Sequence, residues 1–349
     1  MSATIFHDRR AHAVENSELR VTVLEGGGHI AEIFQKVAGV NPLWIPPWPS
    51  IEPAAFHVGS YSVYGSSLEA RLLAGIMGHN LCLDIFGGPS AEEAAAGLTV
   101  HGESSVARYE IVEQEGGFQM HATLPMARLS IERTIQLQGE RVRIRETVRN
   151  LCAFDRAIAW TQHVTLGPPF LEKGATEFRS SATRSRAFEA PFGAHDYLTP
   201  GAEFDWPMAP LEGGGSADLR TFSNAPASSA FTAHLMDPLR ADAYFLAFSP
   251  RFHLMFGYVW KQADFPWMGI WEENLSRNSP PWNGQTIARG MELGVSPMPE
   301  TRRQMIDRGR MFGVPVYRWL PANSRCDVEY WAVARNAESI PEVLEWPGE

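Results

Sequence analysis

Three segments of the chain place an ionisable side chain among small or polar neighbours. "IAWTQHVTLGPPF" has the composition of a strand, closed by Gly-Pro-Pro, and the face that carries His163 otherwise holds only alanine and threonine. If "GLTVHGESS" and "IARGMELGVS" are also strands, they place His101 and Glu292 in the same way. Imidazole and carboxylate groups that converge on one cleft can act as a general acid and a general base.

The face of Glu292 is unusual because Gly290 and Gly294 flank the carboxylate. Glycine in a strand costs stability and often marks the close approach of a ligand or of another backbone. The space beside Glu292 is therefore interpreted as room for a sugar ring. Taken singly, each of the three side chains is better explained as a structural or surface residue. The recurrence of the pattern predicts a shared acid–base site.

Aromatic side chains are concentrated in "WKQADFPWMGIWEENLSRNSPPWNG", and tryptophan rings stack on the C–H faces of pyranose rings. Strand alternation places Trp271 and Glu273 on one face, where the carboxylate can bind sugar hydroxyls. The Pro-Pro-Trp-Asn-Gly stretch is predicted to be a loop. Trp271 or Trp282 is the predicted stacking platform, whereas Trp260 is assigned to the core.

The elements that must position these residues are mostly strands. Alternation recurs in "LRVTVLE", "RYEIVEQ", "FQMHATL" and "LSIERTIQL", and in "ERVRIRETVRN" an apolar face opposes a row of arginines. One buried and one solvated face are typical of antiparallel sheets. Short helices are predicted only in "SAEEAAAG", with Ser90 as N-cap, and in "PETRRQMIDRGRMFG". The sequence thus predicts an all-β protein with a single domain over residues 1–349.

Composition excludes several classes of function. The formal net charge of −10 disfavours nucleic acid and anionic membranes as partners. No apolar run approaches membrane-spanning length, and "MSATIFHDRR" lacks the apolar core of a signal peptide. The three cysteines have no metal-ligand spacing and favour a reducing compartment. We therefore expect a cytoplasmic protein. The sequence has no phosphate loop and no G-x-S-x-G elbow, and we expect the protein to use no metal and no cofactor.

A series of motifs in the chain resembles the galactose mutarotase-like superfamily, which comprises the aldose 1-epimerases and their relatives. The motifs are, in order, "LRVTVLEGGGHIAEIF", "NPLW", "VHGE", "ETVRN", "TQHVTLGPPF", "GMELGVSP" and "ANSRCDVEYWAV". The resemblance covers most of the chain. It implies a β-supersandwich, in which large antiparallel sheets pack face to face with few short helices and an open cleft lies over one sheet.

The resemblance also implies an activity, namely the interconversion of sugar anomers by ring opening at C1. By motif position, Glu292 matches the general base, His163 the general acid and His101 a second, substrate-holding histidine. Arg71 matches the family's substrate-binding arginine. For this mechanism we expect the acid and base to lie on opposite sides of the C1–O5 unit, roughly a sugar ring apart.

The family's substrate-binding aspartate has no certain counterpart in this chain. Asp237 in "HLMDP" is the nearest candidate, and Asp242 and Asp264 remain open. The long "GHNLCLDIFGGPSAEEAAAG" segment before His101 also differs from a typical galactose mutarotase. The expected ligand is therefore a monosaccharide or sugar derivative of unspecified identity. A carbohydrate-binding protein that has lost catalysis is the alternative function.

Overall fold

Strands make up most of the regular structure in this computed structural model, which describes residues 4–57 and 59–347. The first strands in chain order are β1 (Thr4–Phe6), β2 (Arg9–Glu15), β3 (Leu19–Leu24), β4 (Ile30–Gln35), β5 (His79–Asp84), β6 (Glu110–Gln114), β7 (Gly117–Leu124), β8 (Leu129–Gln138), β9 (Arg141–Asn150), β10 (Arg156–Leu166), β11 (Glu177–Ser180) and β12 (Ala182–Ala187). The others are β13 (Glu203–Asp205), β14 (Met208–Pro210), β15 (Ser216–Asp218), β16 (Ser228–Met236), β17 (Asp242–Ser249), β18 (Leu254–Lys261), β19 (Trp267–Asn274), β20 (Ile287–Gly294), β21 (Arg310–Met311), β22 (Val314–Pro315), β23 (Arg318–Leu320) and β24 (Arg325–Asn336).

Helices are short, as the sequence predicts. The α-helices are α1 (Ala70–Leu73), α2 (Ala91–Ala95) and α3 (Arg302–Arg308), and 3-10 turns span Pro53–Ala55, Ser62–Tyr64, Glu103–Ser105 and Pro250–Phe252. Ser90 and Thr301 start α2 and α3, each through a capping box with the residue three positions later. Both predicted helices are confirmed. None of the helices in the described part of the chain is long and apolar enough to cross a membrane.

Two large antiparallel sheets form the body of the fold. The first has the order β1-β2-β3-β4-β5-β10-β20-β19-β16-β12-β13, with β23 also paired to β10. The second has the order β11-β17-β18-β24-β9-β8-β7-β6. The small hairpins β14-β15 and β21-β22 complete the strand pairs. The predicted all-β class with large antiparallel sheets is confirmed.

The main core lies between the two sheets and follows the alternation seen in the sequence. Trp160 and Val164 of β10 point into this core, together with Ile144 and Val148 of β9. The other face of β10, which carries His163, points away from the second sheet. A second apolar cluster, rich in tryptophan and phenylalanine, covers that outer face. Strand β10 is therefore buried on both sides.

A buried polar network joins the two sheets directly beneath the strand of His163. Arg133 of β8 and Glu146 of β9 are cross-strand neighbours, with Nε 2.8 Å from Oε1, and neither side chain is exposed. Glu146 also accepts hydrogen bonds from the Tyr330 hydroxyl, the Trp160 indole and the Gln162 amide at 2.6–2.9 Å. Because Trp160 and Gln162 belong to β10, the network fixes that strand to the second sheet.

The strand next to β10 is tied to the same network through His79. Its Nε2 donates to the Gln162 carbonyl oxygen at 2.9 Å, and its Nδ1 accepts from the Tyr258 hydroxyl at 3.0 Å. Burial lowers the pKa of His79 well below its ordinary value, so the ring is neutral. His79 is thereby a structural residue with both ring nitrogens in use.

One predicted strand is wrong. The segment around His101 forms turns that lead into the 3-10 turn at Glu103–Ser105. His101 itself has φ 66° and Gly102 has φ 79°, a left-handed backbone that a strand does not contain. The turn is held at the end of β5 by backbone hydrogen bonds, in which the Leu83 N–H donates to His101 and the His101 N–H donates to Gly87. The apparent alternation around His101 is therefore a coincidence of composition.

The buried ion pair predicts a large stability effect for Glu146→Gln. The substitution leaves the Arg133 guanidinium buried without a counter-charge, which costs about 3–5 kcal/mol when a buried pair is broken. Glu329→Gln is a matched control, because its carboxylate pairs with Arg143 and Arg145 near solvent and is worth less than about 1 kcal/mol. Urea unfolding at pH 7 measures both. Equal losses for the two variants would contradict the assignment.

Candidate active site

A cleft of about 980 Å³ lies on the outer face of the first sheet. Its floor includes His163 of β10 and Glu292 of β20. Its walls come from Trp271 of β19, Phe231 of β16 and the segments that connect strands at residues 65–76, 86–100, 188–192 and 277–282. Strands β10, β20 and β19 are consecutive neighbours in the sheet. Their side chains on one face therefore meet at the floor.

His163 and Glu292 are direct cross-strand partners in the register of β10 and β20. Nε2 of His163 lies 3.0 Å from Oε1 of Glu292, and both side chains are almost completely buried. Both oxygens of Glu292 lack a hydrogen bond of good geometry to any described residue. Buried carboxylate oxygens are rarely left unpaired, so this carboxyl group is available to a ligand.

Burial shifts the two titrations in opposite directions. It raises the pKa of Glu292 to about 8 and lowers the pKa of His163 to about 4. In both cases the cause is the loss of hydration of the charged form. At neutral pH the cleft therefore holds a neutral carboxylic acid beside a neutral imidazole. The pair has one carboxyl proton to move, with a proton acceptor beside it.

The small residues around this pair have a different role from the one the sequence suggested. A Cβ on Gly290 would lie 2.3 Å from Oε1 of Glu292, and one on Gly269 would lie 3.2 Å from its Oε2. The carboxyl group itself thus occupies the space above both glycines. Gly294 is packed against Thr161 instead. The glycines make room for the carboxyl group of Glu292, and the sugar must lie above it.

His101 joins the pair although it lies on a turn. Its ring centroid is 4.7 Å from that of His163, and it lines the same cleft. The amide nitrogen of Asn80, on β5, lies 3.4 Å from Nδ1 of His101. An amide nitrogen can only donate, so Nδ1 accepts and Nε2 carries the proton of the neutral ring. Burial lowers the pKa of His101 well below its ordinary value, which keeps it a neutral donor.

His163 is held in place by a residue of its own strand. The hydroxyl oxygen of Thr165, two residues along the same face of β10, lies 3.0 Å from Nδ1 of His163. This contact leaves Nε2 facing Glu292. Thr165 therefore helps to orient the ring of His163, in addition to being small.

The predicted aromatic residues occupy one wall. Trp271 and Trp282 both line the cleft, with ring centroids 5.9 Å apart and an angle of 76° between the ring planes. Trp282 also packs on Trp44 and Trp48, and it lies in the predicted loop. Both rings are largely buried, and the indole N–H of Trp271 has no hydrogen-bond partner among the described residues. Trp271 thus offers a donor as well as an apolar edge.

Glu273 lies beneath the wall and outside the cleft lining. Its Oε1 accepts from the backbone N–H groups of Ser276 and Arg277 at 2.6 and 3.0 Å. The carboxylate therefore shapes the turn after β19. Trp260, assigned to the core from the sequence, is completely buried between the sheets.

Arg71 and the three candidate aspartates are not brought to the cleft. Arg71 is on α1 and its charge acts on the carboxyl group of Glu103. Asp237 follows β16, where its side chain caps the N–H of Leu239, and Asp242 pairs with Lys261 at 2.8 Å. None of these residues, nor Asp264, is among those that line the cleft.

Arg277, Glu69 and two phenylalanines complete the cleft and were missed from the sequence. The Arg277 guanidinium lies over the rings of Trp282 and Phe192, at 4.8 and 5.2 Å, and 3.7 Å from the carboxylate of Glu69. Phe231 of β16 packs against Phe192. The signal for Arg277 was its position within the aromatic loop segment. Phe192 and Glu69 lie in irregular segments that offered no signal.

No group of three or more histidine, cysteine or acidic side chains that could hold a metal ion occurs in the described ranges. The polar groups at the cleft floor are the carboxyl group of Glu292 and the neutral imidazoles of His163 and His101, with His163 in contact with both of the others. This arrangement suits proton transfer between two adjacent sites.

Comparisons with known proteins identify the fold. No family model and no curated sequence matches the chain. Among solved structures, a Klebsiella pneumoniae protein provisionally described as an aldose 1-epimerase aligns with TM-score 0.66 and 11% identity, over 95% of this chain and 80% of that one. A galactose mutarotase-like protein from Clostridium acetobutylicum aligns with TM-score 0.61 and 12% identity, over 96% and 98% of the two chains.

A third structure agrees with these two. A galactose mutarotase-like protein from Lactobacillus casei aligns with TM-score 0.59 and 12% identity, over 93% of this chain and all of that one. Together with the sheet order, these alignments confirm the resemblance found in the sequence at the level of the fold. The chain has the galactose mutarotase-like fold, in a sequence that has diverged far from its structural neighbours.

Proposed function

We propose that the protein is an aldose 1-epimerase-like isomerase, which interconverts the anomers of a sugar by acid–base ring opening at C1. The observation that carries the proposal is the buried contact of Glu292 and His163 at the floor of the cleft. A carboxyl group without hydrogen-bond partners and a neutral imidazole beside it form a proton donor and a proton acceptor.

The ring-opening step uses these two groups in defined roles. A sugar hydroxyl that donates to Glu292 favours its ionised form and shifts the shared proton towards His163. Glu292 then removes the proton from the C1 hydroxyl, the C1–O5 bond breaks as the aldehyde forms, and His163 protonates O5. Rotation about C1–C2 and reversal of the steps give the other anomer. His101 and the indole N–H of Trp271 are proposed to donate to sugar oxygens.

The adjacency of the pair changes how the sugar must sit. Nε2 of His163 and Oε1 of Glu292 are 3.0 Å apart, which is less than the width of a sugar ring that the sequence predicts. Cross-strand neighbours have Cβ atoms only about 5 Å apart, so their side chains meet. O1 and O5 are both bonded to C1, so two adjacent groups can reach them from the same side. The sugar is therefore proposed to bind with its C1 edge above the pair.

The same proposal includes the partner and location. The ligand is a monosaccharide or sugar derivative, and the three free cysteines fit a cytoplasmic enzyme. The alternative, a binding protein without catalysis, predicts sugar binding with no acceleration of anomer exchange.

Substitution of Glu292 tests catalysis. Glu292→Gln keeps the size of the side chain but removes the acid–base function, so we expect anomer exchange to slow by about 10²- to 10⁴-fold. NMR exchange spectroscopy across a panel of reducing sugars measures the rate. Glu132→Gln, on the exposed face of β8, is the matched control and is expected to retain wild-type exchange. The isomerase proposal would be refuted if neither the wild-type protein nor the Glu132→Gln control accelerated anomer exchange. Equal exchange rates for Glu292→Gln and Glu132→Gln would refute it as well.

The pH dependence of kcat/KM is a separate prediction. The active pair holds one proton, so activity is lost when Glu292 loses its proton above its pKa of about 8. Activity is also lost below the pKa of His163, at about 4, because the imidazole is then protonated and the pair holds two protons. A bell-shaped profile with a broad maximum between these limits is expected. A flat profile from pH 7 to 10 would contradict the role of Glu292.

A further inference from the structure

The polar groups of the cleft are concentrated at its floor. Above His101, His163 and Glu292, the described lining offers three serine hydroxyls and the pair Glu69–Arg277, but no asparagine, glutamine, aspartate or lysine. The walls are built largely from aromatic side chains: Phe86, Phe188, Phe192, Phe231, Trp271 and Trp282. A site that bound every hydroxyl of a sugar would need more polar partners than these walls provide.

The charges in the wall are already neutralised. Arg277 lies 3.7 Å from Glu69 and its Nε lies 3.5 Å from Glu273, while its guanidinium covers the rings of Trp282 and Phe192. A phosphate or carboxylate group on the ligand would have to displace these carboxylates. The cleft therefore favours an uncharged ligand over a sugar phosphate.

The size of the cleft also exceeds the need of a single sugar ring. At about 980 Å³ it lies at the upper end of ligand sites, which enclose about 300–1,000 Å³ and hold drug-sized molecules. A sugar ring above the His163–Glu292 pair would leave the aromatic part of the cleft to be filled. Water there has few polar partners, whereas an apolar group gains free energy by burial.

From the apolar walls, the neutralised charges and the size of the cleft, we infer that the substrate is an uncharged reducing sugar that carries an apolar substituent. The inference rests on the proposed function, because ring opening requires a free hydroxyl at C1. The substituent must therefore be attached at another position of the sugar. It extends from the floor along the wall formed by Phe192 and Phe231.

The test compares anomer exchange for glucose and galactose with exchange for their mono-O-benzyl ethers that keep C1 free. NMR exchange spectroscopy gives kcat/KM for each sugar. Burial of a benzyl group predicts at least about a tenfold higher kcat/KM for one or more ethers than for the parent sugar, mainly through KM. Equal or lower kcat/KM for all the ethers would overturn the inference while leaving the isomerase intact.

Substitution in the wall locates the effect. Phe192→Ala removes a partly exposed ring of the wall and is expected to reduce the preference for the benzyl ether severalfold. Phe154→Ala removes an exposed ring in the β9–β10 connection and is expected to leave the preference unchanged. An unchanged preference in Phe192→Ala would contradict the assigned wall.

Binding separates the two proposals. Saturation-transfer NMR measures whether the Glu292→Gln variant binds the benzyl ether more tightly than the parent sugar. Preferential binding without any exchange by the wild-type protein would refute the isomerase but support the apolar ligand class. Exchange without preferential binding would refute only the ligand class.

Discussion

The ion pair of Arg133 and Glu146, completely buried between the sheets, is the interaction on which the geometry of the site depends. A charge removed from water must be fully compensated, so both carboxylate oxygens of Glu146 need hydrogen-bond donors in addition to Arg133. Two of those partners, Trp160 and Gln162, belong to β10. Their neighbour His163 points to the opposite face, and its position is therefore fixed from beneath. A slip of β10 by one residue would turn His163 towards the second sheet and turn these partners towards the cleft, so the register is strongly specified.

The contact between His163 and Glu292 is itself a product of that register. His163 faces Glu292 directly across two strands, and Thr165 fixes the ring from the other side. Gly290 and Gly269 then give the carboxyl group of Glu292 a place to lie. Burial supplies the electrostatics, because it holds both groups neutral and leaves them one proton to exchange. Geometry and proton affinity thus have a common origin in the packing of adjacent strands.

Strand alternation was sufficient to predict the all-β fold and the two faces of β10, because a period of two is a local property of the sequence. It was misleading for His101, where a turn with positive φ imitates the same pattern. Glu146 was missed as a buried residue, since its charge is compensated by partners that are distant in sequence. Arg277 and Phe192 reach the cleft through irregular loops, and no periodic signal predicts where such loops fold. Arg71 and Asp237 were placed by family resemblance alone, and the chain folds them away from the cleft.

The division between a floor of strands and walls built mostly from loops has an evolutionary consequence. His163 and Glu292 are carried by central strands of a hydrogen-bonded sheet, whereas Phe192, Trp282 and Arg277 are carried by connections between strands. Changes in the connections alter what fits above the floor without disturbing the pair below it. Replacement of loops alone can therefore change what fits the cleft, while the contact between His163 and Glu292 is retained. The sheets that carry the floor are accordingly shared with structural neighbours in which only 11–12% of the aligned residues are identical to those of this chain.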